Sequence, residues 1–354
     1  MKKLLFILPA LTIWHIAAQR FTAEIAPFAQ DKRAAVSISF DDGSYGQFKY
    51  AFPLLEKYGI KATFSAVGEW TRDSVSPSAE PGMFTINKMG WNELRTLARA
   101  GHEIAAHGFR HRKYLRNGTV KSIADDMRKA KFLIEQHIRR PVVTLHYPYS
   151  FTSDSIIKAA RTAGFLFGRT GSGTGDNFNS YEGFNPDLLR SIAFLNDTLP
   201  GIDSLRTILR AAEGKWVILM YHHLFTPRSK PVHIMRHHGV NHTYTVFPSK
   251  FERHLRLLQQ FDYWIAPEEA VGKYMFERLH TRLKTRRRCG RYKIRTVSSF
   301  DTDQYDEPLW LIVKLPWKKV KITGSLRDGI RTLNGSLKIP VRPGSTIIIR
   351  KMKE

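Results

Sequence analysis

The sequence predicts an α/β fold: a distorted or incomplete (β/α) barrel of about seven strands, followed by a small all-β module. Two features carry this expectation. Apolar strand-like runs alternate with helical stretches from about residue 34 to residue 283, and such alternation builds a mainly parallel sheet. After a dense basic run, the pattern turns to short strands punctuated by proline and glycine.

Taken in order, Ala34 to Phe40 reads as a buried strand. Gln47 to Tyr58 reads as a helix ended by Gly59, and Lys61 to Val67 as a second strand. Trp91 to Ala100 is a helix stopped by Gly101, and His102 to Ala106 is extended. Val120 to His137 carries helical periodicity and leads to a strand after Pro141. Ser153 to Ala163 is a helix closed by Gly164, followed by an extended Phe165 to Gly168. Leu189 to Phe194, Leu205 to Ala212, Trp216 to Tyr221, Lys250 to Gln260 and Pro267 to Leu283 continue the series. The short runs Leu309 to Leu315, Lys318 to Gly324, Ser336 to Val341 and Ser345 to Arg350 form the last module.

Four segments follow from this reading. Residues 1–18 have the charged start, apolar run and small residues of a signal peptide. Residues 19–283 form the main domain, 284–295 a basic linker, and 296–354 a β-sandwich-like module. The expected location is outside the cytoplasm, in the periplasm or beyond. The apolar start is too short for an ordinary membrane span, and no integral span is expected elsewhere.

The formal charge of +25 invites an anionic partner. No zinc-finger, helix-turn-helix or RNA-binding signature accompanies the basic run, so no nucleic-acid role is expected. The single cysteine, Cys289, excludes an internal disulfide. Four histidines, His233, His237, His238 and His242, read best as a polar surface loop. The oligomeric state is not legible.

Two short segments carry chemistry. Asp41 and Asp42 stand where an apolar strand meets Gly43. Neighbouring strand residues point to opposite faces, but a turn at the strand end can aim both inward. One carboxylate could then bind a metal while the other acts as a base. His107 and His111 follow the third strand, four residues apart, as two imidazoles on one face of a helical turn would be. Asp42, His107 and His111 would make a two-histidine, one-carboxylate metal site.

In these residues the chain resembles the polysaccharide deacetylase family, the NodB-homology domain of carbohydrate esterase family 4. Ser39-Phe40-Asp41-Asp42-Gly43 corresponds to the first family motif and His107 to His111 to the second. His146-Tyr147-Pro148-Tyr149-Ser150 is a degraded third motif, Arg190 falls in the region of the fourth, and Met220-Tyr221-His222 matches the fifth. The resemblance implies a carbohydrate deacetylase, a hydrolase of carbon–nitrogen bonds other than peptide bonds, or of acetyl esters. It implies Asp41 as general base, His222 as general acid, and Asp42, His107 and His111 as ligands of Zn2+, Co2+ or Ni2+. Tyr149, Met220, His146 and Arg190 would contact substrate. The partner would be an acetylated glycan, and the basic surface favours an acidic one.

One departure bears on mechanism. The family's third motif carries an arginine that orients the catalytic aspartate, and His146 stands in that place. Arg169 or Arg110 could substitute for it. Two rival readings stay open: an acetylxylan-type O-acetyl esterase, and a non-catalytic glycan-binding protein on a decayed scaffold.

Overall fold

The computed structural model describes residues 21–74, 87–114, 118–171, 177–194, 201–225, 244–317, 319–326, 330–333 and 335–352. The expected signal peptide and the histidines from 233 to 242 lie outside these residues. The described elements run β1 (Thr22–Ile25), β2 (Ala35–Phe40), α1 (Phe52–Lys57), β3 (Thr63–Ala66), α2 (Trp91–Arg99), β4 (Glu103–Ala106) and α3 (Val120–Ile138). They continue through β5 (Thr144–His146), α4 (Asp154–Thr162), β6 (Phe167–Thr170), β7 (Leu189–Arg190), β8 (Ile192–Ala193), α5 (Ile202–Ala211) and β9 (Trp216–Tyr221). After the short pair β10 (His223–Leu224) and β11 (Thr245–Val246) come α6 (Pro248–Leu258), β12 (Trp264–Ile265) and α7 (Glu268–Leu279). The last strands are β13 (Thr281–Arg288), β14 (Arg291–Ser298), β15 (Leu309–Lys314), β16 (Val320–Thr323), β17 (Arg331–Leu333), β18 (Ser336–Val341) and β19 (Thr346–Lys351). Among the described residues, no helix is long and apolar enough to cross a membrane.

The main sheet is parallel, in the order β7-β6-β5-β4-β3-β2-β9-β8. Its two ends are one stretch of chain. Leu189 and Arg190 pair with Arg169 and Thr170 of β6, while Ile192 and Ala193 pair with Leu219 and Met220 of β9. The segment changes partner at Ser191, so the sheet curls into a nearly closed barrel. Asn179 fills the seam, donating to the Arg190 carbonyl at 2.9 Å and accepting from the Arg190 amide at 2.9 Å.

Alternation along each strand sorts the side chains. Val36, Ile38 and Phe40 of β2 face the helices and join Phe64, Val217 and Leu219 in the main apolar cluster. Ala35, with Phe167, Trp216 and Ile218, belongs to a separate cluster inside the barrel. The base of that interior is closed by α7. The Glu268 amide donates to Thr63 Oγ1 at 2.9 Å, and the Glu269 amide donates to the buried Glu103 carboxylate at 2.9 Å. These are helix N-terminal amides that lack intrahelical acceptors, so the base of the barrel supplies their partners.

The β module is two antiparallel four-stranded sheets, β1-β15-β18-β17 and β13-β14-β19-β16. Leu311, Val313 and Ile339 of the first share a buried cluster with Tyr292, Ile294, Ile347 and Ile349 of the second. Two expected boundaries change. The basic run 284–295, expected as a linker, is most of the β13–β14 hairpin, paired from Thr281↔Ser298 to Arg288↔Arg291. Its charges alternate with Tyr292, Ile294 and Thr296, which are buried, and basic composition conceals that period of two. Residues 22–25, expected in the main domain, pair with β15 and so belong to the module. Tyr274 of α7 sits in the module core and bonds the Ala26 carbonyl at 3.0 Å, which ties the barrel base to the module.

Gly272 of α7 lies against Phe167, and a Cβ there would stand 2.9–3.1 Å from the ring. Helix propensity alone would make Gly272→Ala stabilising by about 1 kcal/mol. Overpacking against a buried ring costs about 1–3 kcal/mol. The expected net result is a lower urea midpoint for Gly272→Ala, measured by circular dichroism.

Candidate metal and catalytic site

The site forms at the C-terminal ends of β2, β4, β5 and β9. Asp41 continues the inward phase of β2 and is buried. Asp42 would face outward, but its backbone adopts the left-handed region at φ 70°. That turn swings its carboxylate to the same side as its neighbour's. His111 (φ 50°), Tyr149 (φ 58°) and Ser150 (φ 55°) share this conformation, so four of the seven described non-glycine residues at positive φ lie here. Each such residue costs on the order of 1–3 kcal/mol, and such strain concentrates at functional sites.

His107 and His111 meet through a loop and not through the expected helical turn. Gly108 at φ 73° reverses the chain between them, and a Cβ there would stand 3.0 Å from the Tyr114 hydroxyl. The ring atoms still converge. His107 Nε2 and His111 Nε2 are 3.2 Å apart, and Asp42 Oδ1 lies 3.5 Å from the first and 3.4 Å from the second. Tetrahedral zinc with ligand distances of about 2.0–2.2 Å needs ligand atoms roughly 3.3–3.6 Å apart. The triangle therefore fits one cation, and these three residues form a group that could hold it. His107 Nδ1 faces the His146 carbonyl at 2.8 Å and must donate to it, which leaves Nε2 as the electron-pair donor. Burial and the adjacent His107 push His111 down to about 3, so its ring is neutral and ready to ligate. Burial alone would raise the Asp42 carboxyl, but His107, Lys88 and His222 hold it well below the usual range.

Asp41 belongs to a different set of contacts. Its Oδ1 accepts from Arg169 and from Ser65 at 3.3 Å, and meets His146 Nδ1 at 2.7 Å. The other nitrogen of His146 is 3.1 Å from Glu268 Oε2. Glu268, His146 and Arg169 are all fully buried. Burial and Arg169 pull His146 down, but Glu268 and Asp41 outweigh them and leave it raised. Burial pushes Asp41 up, but Arg169, His107 and His146 carry it well below the carboxylate range. The charges alternate along Glu268, His146, Asp41 and Arg169 from the barrel base to its mouth. Arg169, one of the two arginines that sequence offered, does meet Asp41. Arg110 instead faces Glu69 at 3.5 Å on the surface.

The remaining expected residues divide. Met220 faces the interior, where its sulfur lies 2.8 Å from Arg169 NH1. Tyr149 is 60% exposed with its ring 4.6 Å from that of His111, so it borders the ligand cluster on the solvent side. His222 is half-buried; its Nδ1 has no partner among the described residues, and its ring lies 4.6 Å from Tyr244. Gln47 Nε2 fixes its backbone by bonding both the His222 carbonyl (2.7 Å) and the Asp41 carbonyl (2.5 Å). Arg190 is not brought to the cluster: it is exposed and out of phase with Leu189 and Ser191, which are buried. Sequence reasoning missed Glu268, Lys88 and the placement of His223, whose Nε2 is 3.9 Å from Asp42 Oδ2. Nothing local in the sequence marked Glu268 or Lys88.

A family model described as "Polysaccharide deacetylase" matches residues 29–168. That segment carries the polysaccharide deacetylase pattern. YxkH of Bacillus subtilis (strain 168), whose name places it among polysaccharide deacetylases, is 26% identical over 144 residues, 40% of this chain and 47% of that protein. The poly-beta-1,6-N-acetyl-D-glucosamine N-deacetylase of Staphylococcus aureus (strain MRSA252) is 23% identical over 163 residues, 45% of this chain and 55% of that protein. The chain thus spans about half the length of the curated relatives it matches. A family 4 acetyl xylan esterase from Clostridium thermocellum, solved with a cobalt ion, is 17% identical, with a TM-score of 0.41 over 66% of this chain and 87% of that one. The barrel reading rests on the chain's own strand order. The matched segment contains β2 to β5, and therefore Asp41, Asp42, His107, His111 and His146.

Glu268 supports His146 without reaching the ligand cluster. Loss of such outer support costs about 10–100-fold in activity or metal affinity elsewhere. Glu268→Ala is expected to lower the pKa of the His146 ring, followed by NMR titration, because the carboxylate that raises it is gone. Glu268→Gln, which keeps an acceptor, should fall between that variant and the wild type.

Proposed function

We propose that this chain is a metal-dependent deacetylase that hydrolyses acetyl groups on a polysaccharide or oligosaccharide. The observation that carries the proposal is the pairing of two adjacent aspartates with different surroundings. Asp42 completes a three-atom ligand triangle, while Asp41 is kept ionised beside it by Arg169 and His146.

The donor set favours zinc, with cobalt or nickel as substitutes. A divalent cation held by Asp42, His107 and His111 would lower the pKa of water from about 15.7 toward 7 and polarise an acyl oxygen. Asp41 acts as the base. Its three protein contacts all fall on Oδ1, which leaves Oδ2 to take a proton. His222 acts as the acid that protonates the departing amine or alcohol: its residue is part-exposed, and Asp41 and Asp42 oppose the burial that lowers its pKa. His223 is the more buried of the two and backs Asp42. Met220, held against Arg169, forms a wall beside the base for the acetyl methyl.

The favoured substrate is an N-acetylated glycan, by analogy with the Staphylococcus aureus relative. Export to the cell envelope, with residues 1–18 as leader, fits such a substrate. The reading as a decayed scaffold loses its main support, because Arg169 takes up the contact that the third-motif arginine would have made.

Purified protein is expected to contain about one zinc per chain. His107→Ala should lose both the metal and acetate release. Asp41→Asn should keep the metal and lose about 100-fold or more of the rate, the usual scale for proton transfer. A fully active Asp41→Asn would reject the assigned base. Acetate release from panels of N-acetylated and O-acetylated glycans separates a deacetylase from an ester hydrolase, with the larger kcat/KM expected on the N-acetylated panel.

A further inference from the structure

We propose that the solvent side of the β13-β14-β19-β16 sheet is a docking surface for an anionic polysaccharide. Cross-strand partners share a face of an antiparallel sheet, so the register shows which charges stand together. Arg288 opposes Arg291, Arg291 opposes Arg350, and Arg350 opposes Lys321, which makes one row of cations across all four strands. Two residues along, Arg286 opposes Lys293; two further, Lys284 opposes Arg295. All of these side chains are exposed. The opposite face carries Tyr292, Ile294, Ile347 and Ile349 into the module core, so the cations of these rows project outward, while Arg287 and Lys351 fall on the other face.

Three features mark this as more than a solvated surface. The four strands contain no aspartate or glutamate. None of the cations in these rows enters an ion pair with another described residue. Like charges placed directly opposite destabilise a sheet, and here they recur in successive rows. An anion laid across the rows removes that repulsion.

The shape selects the class of anion. The backbone positions that carry neighbouring cations are about 4.8 Å apart across strands and about 6.8 Å apart along them, which suits a repeating charge on a single extended chain. Tyr292, the one aromatic residue of these four strands, points into the core, so the strands offer no platform for base stacking. A four-stranded sheet is too wide for a duplex major groove, which admits a helix or a two-stranded ribbon. Insertion into a lipid surface uses an apolar or aromatic face, and the neutral residues here are Val297, Thr323, Thr346 and Ile348, none of them aromatic. Docking does not depend on whether the barrel is catalytic.

The test uses the full chain and polygalacturonate as the probe. Binding is compared with neutral dextran, with phosphatidylglycerol vesicles and with duplex DNA, at 50 and 300 mM NaCl. Wild-type protein should bind polygalacturonate at least tenfold more tightly than the other three, and less tightly at high salt. The combined Arg286→Ser, Arg288→Ser, Arg291→Ser, Lys293→Ser variant should weaken binding at least tenfold. Its thermal midpoint should hold or rise, because opposed like charges are gone, and acetate release should be unchanged. If that variant does not fold, Lys321→Ser with Arg350→Ser decides the matter, with at least a threefold loss expected. A control removes the same charge from exposed helix positions (Arg99, Lys121, Lys158 and Arg210 to Ser) and should bind like wild type. The proposal falls if the sheet variants bind normally, if the control loses as much as the sheet variant, or if vesicles or DNA bind more tightly than the glycan.

Discussion

The charge of Asp41, buried at the mouth of the barrel, is the constraint around which the other parts are arranged. An ionised carboxylate out of water is costly unless it is paired and hydrogen-bonded. Here Arg169 comes from β6, His146 from β5 and Ser65 from β3, and all three meet the same oxygen. Each partner must arrive from a different strand, so closure of the sheet is a condition for keeping this charge. His146 in turn needs Glu268, and that acid enters from α7 at the opposite end of the barrel. A buried ion chain of this kind is weak evidence for stability, because well-packed apolar residues often do as well. Its value lies in what it holds ionised next to the ligand triangle.

The helix α7 joins the barrel to the β module. Its first residues meet Thr63 and Glu103 at the barrel base, Gly272 admits Phe167, and Tyr274 enters the core of the β module. The Glu103 carboxyl at that base is pushed up to about 8 by burial and by Glu269 and Glu268 beside it. Hydrogen bonds from the Thr144 hydroxyl and the Glu269 amide oppose that rise. The module is thus fastened to the same helix that supplies the support for His146.

How much of the site could be read beforehand depended on whether its geometry was local. The Asp41-Asp42-Gly43 turn was legible, because a strand end followed by glycine has few ways to place two carboxylates. The left-handed backbone of Asp42 is the means it uses. His107 and His111 were legible as a pair, but their route to each other was not. Spacing suggested a helical turn, and a glycine reversal does the work. Arg190 was misjudged by one residue of phase, since a partner switch at Ser191 decides which side chains face inward. Glu268 was invisible, because it lies over a hundred positions from His146 in the chain and no periodicity connects them.

The sequence by itself determined the alternation of strands and helices, the approximate number of barrel strands, and the residue types able to hold a cation. Those are properties of short segments, fixed by side-chain period, turn chemistry and donor atoms. Tertiary structure alone decided that Arg169 meets Asp41, that Glu268 stands behind His146, and that a basic run is one face of a sheet. Each of these rests on strand order and register, which are set by packing between segments distant in the chain.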